Sequence, residues 1–144
     1  MRKIMIFLIT VIALLYFGKA DLIKFNDDFQ GDYVVYSRQD TGERVFSVNG
    51  VDIYKGKGLD LSKAENIEGE TITFKGNSAD VKLILKKLFV VYYKTEQIDD
   101  VYIVYGYSPR LKRTIFVNGV LQNVQITLRG DTITVSNPIN LGSY

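Results

Sequence analysis

The feature that most constrains the fold is a stretch of 19 residues that the chain carries twice. Residues 33–51 read YVVYSRQDTGERVFSVNGV and residues 102–120 read YIVYGYSPRLKRTIFVNGV, an offset of 69 with no gap, and eight of the 19 pairs are identical. Each copy has two β-rich runs around a turn and ends in Asn-Gly-Val, whose Asn-Gly pair is the strongest short hairpin signal. The repeat therefore predicts a duplicated strand–turn–strand unit.

A further pair of strands extends the repeat to about residues 33–74 and 102–135. ETITF at 70–74 and DTITV at 131–135 both alternate apolar residues with Thr, at an offset of 61. Segment 122–128 alternates as well, and one apolar face with one solvated polar face is typical of an antiparallel sheet. We predict an inward apolar set and an outward polar set: Val124, Ile126 and Leu128, against Asn123, Gln125 and Thr127.

One amphipathic helix is predicted at 78–89, packed on the sheet. Its apolar residues fall at i, i+3, i+4 and i+7 and form one stripe: Val81, Ile84, Leu85 and Leu88. Asn77 or Ser78 could cap it, but residue 81 is Val, so no capping box is expected. The runs 90–94 and 101–107 are apolar on both faces and predict strands in the centre of a sheet. The body, residues 31–144, is thus expected to be a single α+β domain.

The first 20 residues, MRKIMIFLITVIALLYFGKA, carry the signature of export. Arg2 and Lys3 precede an apolar run at 4–18, whose 15 residues would span about 22 Å as a helix, short of the ~30 Å hydrocarbon core. Gly18 and Ala20 suit a small-x-small cleavage site, so we expect a signal peptide cleaved after Ala20 and a secreted body. The alternative is an uncleaved membrane anchor through 4–18 with the body outside. Residues 21–30 are expected to be a tether or one helical turn.

Composition excludes several classes of chemistry. Three of the 18 basic residues lie in the first 20 positions, which leaves 15 basic against 16 acidic residues in the remainder, a net of −1. Nucleic-acid binding relies on an excess of Lys and Arg, so no nucleic-acid partner is expected. The chain has no His and no Cys, the usual general base and thiol nucleophile. We expect no enzyme, no cofactor and no metal site.

Residues 70–144 contain, in order, TITFKGNSADVKLILKKL, YGYSPRL, VNGVLQNVQITL and NPINLGSY. This order resembles the C-terminal half of YwmB-like proteins, an exported family of endospore-forming Gram-positive bacteria. The resemblance covers about half of the chain and implies a fold likened to the saddle of the TATA-box-binding protein, itself a duplicated α+β unit. It implies no catalytic residue, and DNA binding does not follow from it, because a fold does not confer a function.

The candidate contact surface combines the densest tyrosine group with the one tight basic cluster: Tyr92, Tyr93, Tyr102, Tyr105, Tyr107, Arg110, Lys112 and Arg113. The tyrosines could bind a partner or stack on sugars, although strands also favour aromatics for packing. The basic residues could meet anionic headgroups or wall polymers, or form an ordinary solvated loop.

Two acidic features have simpler structural explanations. Glu96, Asp99 and Asp100 could bind a hard cation or act as an acid–base pair, but their spacing matches no calcium loop and favours a solvated turn. The tripeptide at 129–131, Arg-Gly-Asp, lies where a hairpin turn needs Gly.

These observations favour a non-catalytic interaction domain of the Gram-positive cell envelope, exported or membrane-tethered, associated with sporulation and bound to a protein partner at the cell surface. One alternative is a small-ligand or glycan-binding module that uses a tyrosine-rich face. A carboxylate-based hydrolase is the other, since two acids alone can cleave glycosides.

Overall fold

Successive side chains of a β-strand point to opposite faces, so the alternation of apolar and polar residues in this chain favours strands. The computed structural model describes residues 1–25, 31–37, 43–48, 51–56 and 67–139. Its elements, in chain order, are α1 (Arg2–Phe17), a 3₁₀ turn (Leu22–Phe25), β1 (Asp32–Ser37), β2 (Glu43–Val48), β3 (Val51–Gly56), β4 (Ile67–Lys75), α2 (Ser78–Lys87), β5 (Tyr92–Ile98), β6 (Val101–Tyr107), β7 (Ile115–Val117), β8 (Val120–Gln122), β9 (Val124–Arg129) and β10 (Thr132–Asn137).

Eight of these strands form one antiparallel sheet in the order β2-β3-β1-β4-β10-β9-β6-β5, and β7 and β8 form a separate hairpin. The predicted α+β class with an antiparallel sheet is therefore confirmed. The two ETITF-like segments, β4 and β10, meet at the centre of the sheet with Thr73 opposite Thr134 and Glu70 opposite Asn137. This pair is the seam between two four-stranded halves.

The two copies of the 19-residue repeat contribute differently to the sheet. In the first copy, β3 follows the Asn-Gly position and pairs with β1. In the second copy, β8 follows Asn118-Gly119 but pairs only with β7 among the described strands, and it is β9 that pairs with β6. Asn123 separates β8 from β9 and donates its N–H to the Gly106 carbonyl at 3.0 Å. Residues 39–42 and 49–50, the turns of the first copy, lie outside the described residues.

The core lies on one face of the sheet, under α2 and the 3₁₀ turn. The helix inserts Val81, Ile84 and Leu88, and the turn inserts Leu22 and Phe25. The sheet contributes alternating residues of its strands: Tyr33, Val35, Ile72, Val104, Val124, Ile126, Ile133 and Val135. Packing of the helix stripe on the sheet, as predicted, buries the apolar side of both.

Two expectations about strand environments are wrong. The polar set on β9 is not solvated, because Gln125 is only 2% exposed and Thr127 is also buried. Hydroxyl groups on this polar face of the sheet bond to each other across neighbouring strands, such as Thr71 Oγ1 with Ser136 Oγ at 3.1 Å. The run that begins at Val90 does not become a central strand, since β5 is the edge of the sheet and all seven of its residues are exposed.

A capping box is present at the start of α2. It was not expected, because the third residue after Ser78 is Val81. Asn77 is the cap, and its Oδ1 accepts the Ala79 N–H at 2.8 Å. Asp80 is then the third helical residue, and its Oδ2 accepts the Asn77 N–H at 2.8 Å. An acidic side chain at this end also suits the helix dipole.

The helix ends two residues earlier than predicted, in a Schellman motif. The Val90 N–H donates to the Leu85 carbonyl at 2.9 Å, and the Phe89 N–H donates to the Lys86 carbonyl at 3.1 Å. The motif requires a left-handed residue after the cap, usually Gly. Here that residue is Phe89, with φ of 55° and an exposed side chain. Because no Gly follows Leu88, the usual sequence mark of such a helix end is missing here.

We predict that Phe89→Gly raises the free energy of unfolding by about 1 kcal/mol, because it removes the cost of a bulky residue in the left-handed region. Denaturant unfolding of the full chain in detergent measures the change. Phe89→Ala is the control, since it removes the exposed ring but keeps a Cβ in the same conformation, and it should stay within about 0.5 kcal/mol of wild type. Equal effects of the two substitutions would contradict the backbone explanation.

The N-terminal helix differs from the rest of the molecule. Apolar side chains from Ile4 to Ile9 of α1 are exposed. Among the described residues, no helix has the length and apolar character needed to cross a membrane. The start of the expected tether is a docked 3₁₀ turn, and Ala20 forms a parallel bridge with Leu111. Residues 26–30 lie outside the described part.

Candidate functional site

A groove of about 430 Å³ lies between the β5–β6 hairpin and the β7–β8 hairpin. The strands of the main sheet contribute Tyr92, Tyr93, Lys94, Glu96, Tyr105 and Gly106, and the small hairpin contributes Val117, Asn118, Val120, Leu121 and Gln122. The groove is therefore lined by aromatic and aliphatic side chains with a few polar groups, a usual composition for a binding site.

Tyr92 joins the two hairpins and forms one wall of the groove. Its ring stacks on Tyr107 with a centroid distance of 5.8 Å and an interplanar angle of 16°. Its hydroxyl donates to the Leu121 carbonyl on β8. Close packing at Gly106 lets the chain before β5 lie against β6, since a Cβ there would come within 2.8 Å of Val90 Cγ1.

The rim of the groove exposes large apolar side chains. Tyr92 is 41% exposed, and Val117 and Val120 on the small hairpin are also exposed. Phe116, beside them on β7, is 74% exposed. Single exposed apolar residues are common, but a cluster beside a groove is typical of an interaction site.

The structure divides the eight predicted contact residues into three groups. Tyr92, Tyr93 and Tyr105 line the groove, and Tyr107 supports it from behind through the stacked ring. Tyr102 lies half-buried against the core instead. The three basic residues lie away from the groove lining: Arg110, Lys112 and Arg113.

Sequence reasoning missed the contribution of the small hairpin to the groove. Val117, Val120 and Leu121 flank the Asn118-Gly119 turn, whose φ angles of 51° and 78° are typical of a mirror-image hairpin turn. Its strands have three residues each and are largely exposed, so burial does not explain their apolar side chains. The sequence signal that could have indicated this part of the groove was the presence of apolar residues on both sides of the Asn-Gly turn.

The basic residues belong to a different structure, a polar cluster centred on Glu70. This carboxylate is 0% exposed and accepts hydrogen bonds from the Tyr33 hydroxyl at 2.6 Å and the Leu22 N–H at 2.9 Å. Arg113 donates to it through Nη1 at 2.5 Å. A buried charge needs such partners, and these contacts satisfy the carboxylate.

Arg113 connects the carboxylate to the N-terminal segment, to β10 and to the start of β4, the strand that carries Glu70. Its Nη2 donates to Asp21 Oδ1 at 2.6 Å, its Nε to the Ile67 carbonyl at 2.9 Å, and its Nη1 to Asn137 Oδ1 at 3.1 Å. The side chain is only 17% exposed, so it does not present a free charge to a headgroup or a polymer. Nearby Arg110 is exposed, with its guanidinium 5.3 Å from the centroid of the Phe25 ring.

Two pKa shifts follow from this cluster. Burial alone would raise the pKa of the Asp21 carboxyl, but the hydrogen bond and charge of Arg113, helped by Lys112, lower it below the usual 3.8. Burial and the charge of Glu70 raise the pKa of the Tyr33 hydroxyl, so it remains a protonated donor. At neutral pH Asp21 is therefore ionised and Tyr33 is protonated, and the cluster connects the 3₁₀ turn to the sheet.

The acidic candidates do not form a cation site in the described residues. Asp100 Oδ2 accepts a bond from Arg129 Nε at 2.9 Å. Asp99 lies beside it in the two-residue turn between β5 and β6. No group of three acidic, His or Cys side chains in the described ranges could hold a metal ion. Arg129 and Asp131 flank Gly130, whose φ of 59° is the hairpin geometry expected for that tripeptide.

Comparison of the chain with protein-family models, with curated proteins and with solved structures gave no match.

We predict that Arg113→Ala lowers the free energy of unfolding by about 3–5 kcal/mol, because it leaves the Glu70 carboxylate buried without its cation. Equilibrium denaturation at neutral pH measures the loss. Lys112→Ala is the matched control: this neighbour also contacts Asp21, at 3.3 Å, but its side chain is half exposed, so its loss should cost under about 1 kcal/mol. Similar small losses for both variants would show that the buried pair does not matter for stability.

We also predict that acid weakens the attachment of the 3₁₀ turn through Asp21. Because its folded pKa lies below the unfolded value of 3.8, the carboxylate stabilises the fold fully above about pH 4 and loses this effect as the pH falls through the folded pKa. Asp21→Asn should therefore be less stable than wild type at pH 7, and the difference should shrink toward about pH 2. A difference that stays constant over this range would exclude Asp21 ionisation as its cause.

Proposed function

We propose that this protein is a non-catalytic interaction domain of the Gram-positive cell envelope, exported or membrane-tethered, that binds a protein partner in the groove between its two hairpins. The observation that carries the proposal is the exposed apolar and aromatic lining of that groove. The sequence supports the non-catalytic part, because it contains neither His nor Cys.

Several properties of the groove suit a protein partner. Aromatic side chains such as Tyr and Phe are enriched in the cores of protein interfaces, where their burial excludes water. Here Tyr92 is held by its stacked neighbour and by its hydroxyl bond to β8, so little of its freedom would be lost on binding. A partner side chain seated between Tyr105 and Val120 would bury surface that the isolated chain leaves in water.

The N-terminal segment supports the location. Its basic start, apolar run and small residues are the export signature, and α1 presents exposed apolar side chains. Ala20 is fixed to the body through its N–H to the Arg110 carbonyl at 2.7 Å and its carbonyl to the Lys112 N–H at 3.1 Å. In an uncleaved chain, a helix inserted in a membrane would thus keep Arg110 and Lys112 near the lipid headgroups. The YwmB-like resemblance would place such a protein in an endospore-forming bacterium, with a role in sporulation.

The groove also favours a second candidate, a glycan or small-ligand site. Its volume of about 430 Å³ falls within the usual ligand-site range of roughly 300–1,000 Å³. Tyr92 and Tyr105 line it from the same face of the sheet and could stack on a sugar ring. Titration with cell-wall fragments, followed by tyrosine fluorescence, separates this candidate from the first, because a protein-binding groove should give no response at millimolar fragment.

The test of the leading proposal is site-specific photocrosslinking in the source cell. A photoreactive phenylalanine at Phe116, beside the groove, should give a discrete crosslinked protein. The same group at Leu83, which is 55% exposed on α2, is the control and should not give that product. Val120→Asp should reduce the Phe116 product at least about fivefold, since a charge in an apolar contact opposes binding.

Identical products from both positions, or no effect of Val120→Asp, would contradict a partner in the groove. Fractionation of the same cells tests the location: wild-type chain should be recovered from the membrane or the medium. Recovery from the cytosol alone would contradict the export part of the proposal.

A further inference from the structure

The sheet ends in an open edge at β5. All seven residues from Tyr92 to Ile98 are exposed, and β6 is the one strand paired with β5 among the described residues. An edge of this kind presents a row of unpaired N–H and C=O groups, to which another strand can add. The residue order along β5 indicates which strand fits.

The turn after β5 determines which of its backbone groups face outward. Asp99 and Asp100 form a two-residue turn, and Ile98 is directly opposite Val101. A tight turn is closed by a hydrogen bond between its flanking residues, and bonded and non-bonded pairs then alternate along an antiparallel ladder. Tyr93, Thr95 and Gln97 therefore direct their N–H and C=O groups away from β6, toward the open edge.

A second copy of β5 complements these groups in one antiparallel register. If the two-fold axis passes through Thr95, Thr95 of one copy lies opposite Thr95 of the other, and Tyr93 lies opposite Gln97. All the outward N–H and C=O groups of both strands are then hydrogen-bonded. Lys94 then lies opposite Glu96 twice, at non-bonded positions where side chains approach most closely. Tyr92 lies opposite Ile98, an aromatic–aliphatic pair of the kind that stabilises sheets.

The charges of Lys94 and Glu96 also disfavour the neighbouring registers of the strand pair. A shift of two residues in one direction places Lys94 opposite Lys94, and a shift in the other places Glu96 opposite Glu96. Like charges directly opposite each other destabilise a strand pair. Charged residues on an edge usually keep other strands away, but here their opposite signs exclude the wrong registers and favour one.

We propose that two copies of this chain associate through β5, antiparallel and centred on Thr95, so that their two eight-stranded sheets become continuous. The proposal goes beyond the function proposed above, because it concerns the backbone edge of β5 and requires no occupant in the groove, although Lys94 and Glu96 also line that groove.

Charge reversal tests the pairing. Sedimentation of the full chain in detergent micelles should show a monomer–dimer equilibrium, and K94E or E96K alone should raise the dimer Kd about tenfold or more, since each creates two like-charge pairs. The double variant K94E/E96K restores opposite charges and should return the Kd to within about threefold of wild type. A monomeric wild type, or a double variant as weak as the single variants, would overturn the proposal.

Disulfide trapping tests the register. The sequence has no Cys, so each substitution introduces the one thiol of the chain. In the proposed dimer the two Thr95 Cα atoms would lie about 5.5 Å apart, within disulfide reach. Thr95→Cys should therefore form a covalent dimer on mild oxidation. Gln97→Cys, on the same strand but off the axis, and Leu83→Cys, exposed on α2, are matched controls and should form several-fold less. Equal dimer from all three positions would overturn the register.

The two proposals fail independently. Val120→Asp should reduce the partner crosslink at least about fivefold while leaving the wild-type dimer Kd and the Thr95→Cys disulfide unchanged, since Val120 belongs to β8 and contributes no group to the β5 pairing. Loss of the dimer in this variant would show that association occurs through the hairpin and would overturn the edge assignment. Absence of any groove partner would leave the sedimentation result unaffected.

Discussion

The buried ion pair between Glu70 and Arg113 is the interaction on which the arrangement of the molecule depends. Glu70 lies on β4 at the seam of the sheet, and Arg113 follows β6 by a short connection. Between them they bind Tyr33 of β1 and Asp21 of the N-terminal segment. Such a pair adds little net stability over an apolar substitute, but removing one partner is costly. Its effect is therefore to fix which segments meet, and the apolar core then packs around that arrangement.

The same polar contacts extend from the seam to the groove. Asn137, opposite Glu70, donates its side-chain N–H groups to the carbonyls of Lys112 and Asn123, each at 2.6 Å. Asn123 in turn donates to the Ser108 carbonyl at 2.6 Å and accepts the Ser108 N–H at 2.7 Å. These bonds hold the chain on both sides of the β7–β8 hairpin, and the hydroxyl of Tyr92 holds β8 itself through the Leu121 carbonyl. The hydrogen bonds of Asn123 and Asn137 thus determine the position of the hairpin, and with it the width of the groove.

Local patterns predicted the local structure well. The stripe from Val81 to Leu88 predicted α2 and its packing face, and alternation predicted β4, β9 and β10. Properties set by distant residues could not be predicted in this way. Arg113 looked like part of a solvent-exposed basic run, because its partners Asp21 and Glu70 lie 92 and 43 positions away. The aromatic, aliphatic run before β5 suggested a central strand, but pairing order decides which strand lies at the edge. The repeat likewise predicted strands and hairpins, while the bonds of Asn123 gave the second copy its different place in the sheet.

If the chain is exported as proposed, the attachment of Ala20 to the body affects the order of processing and folding. A signal peptidase acts on an extended, accessible segment, whereas the Ala20–Asp21 bond lies between a residue bridged to Leu111 and a carboxylate bound by Arg113. If the chain is exported, folding of the body withdraws the scissile bond, so processing and folding compete in time. Fast translocation followed by slow folding would release a secreted protein, and early folding would leave the helix attached. The ratio of soluble to anchored protein would then be a kinetic property of the sheet.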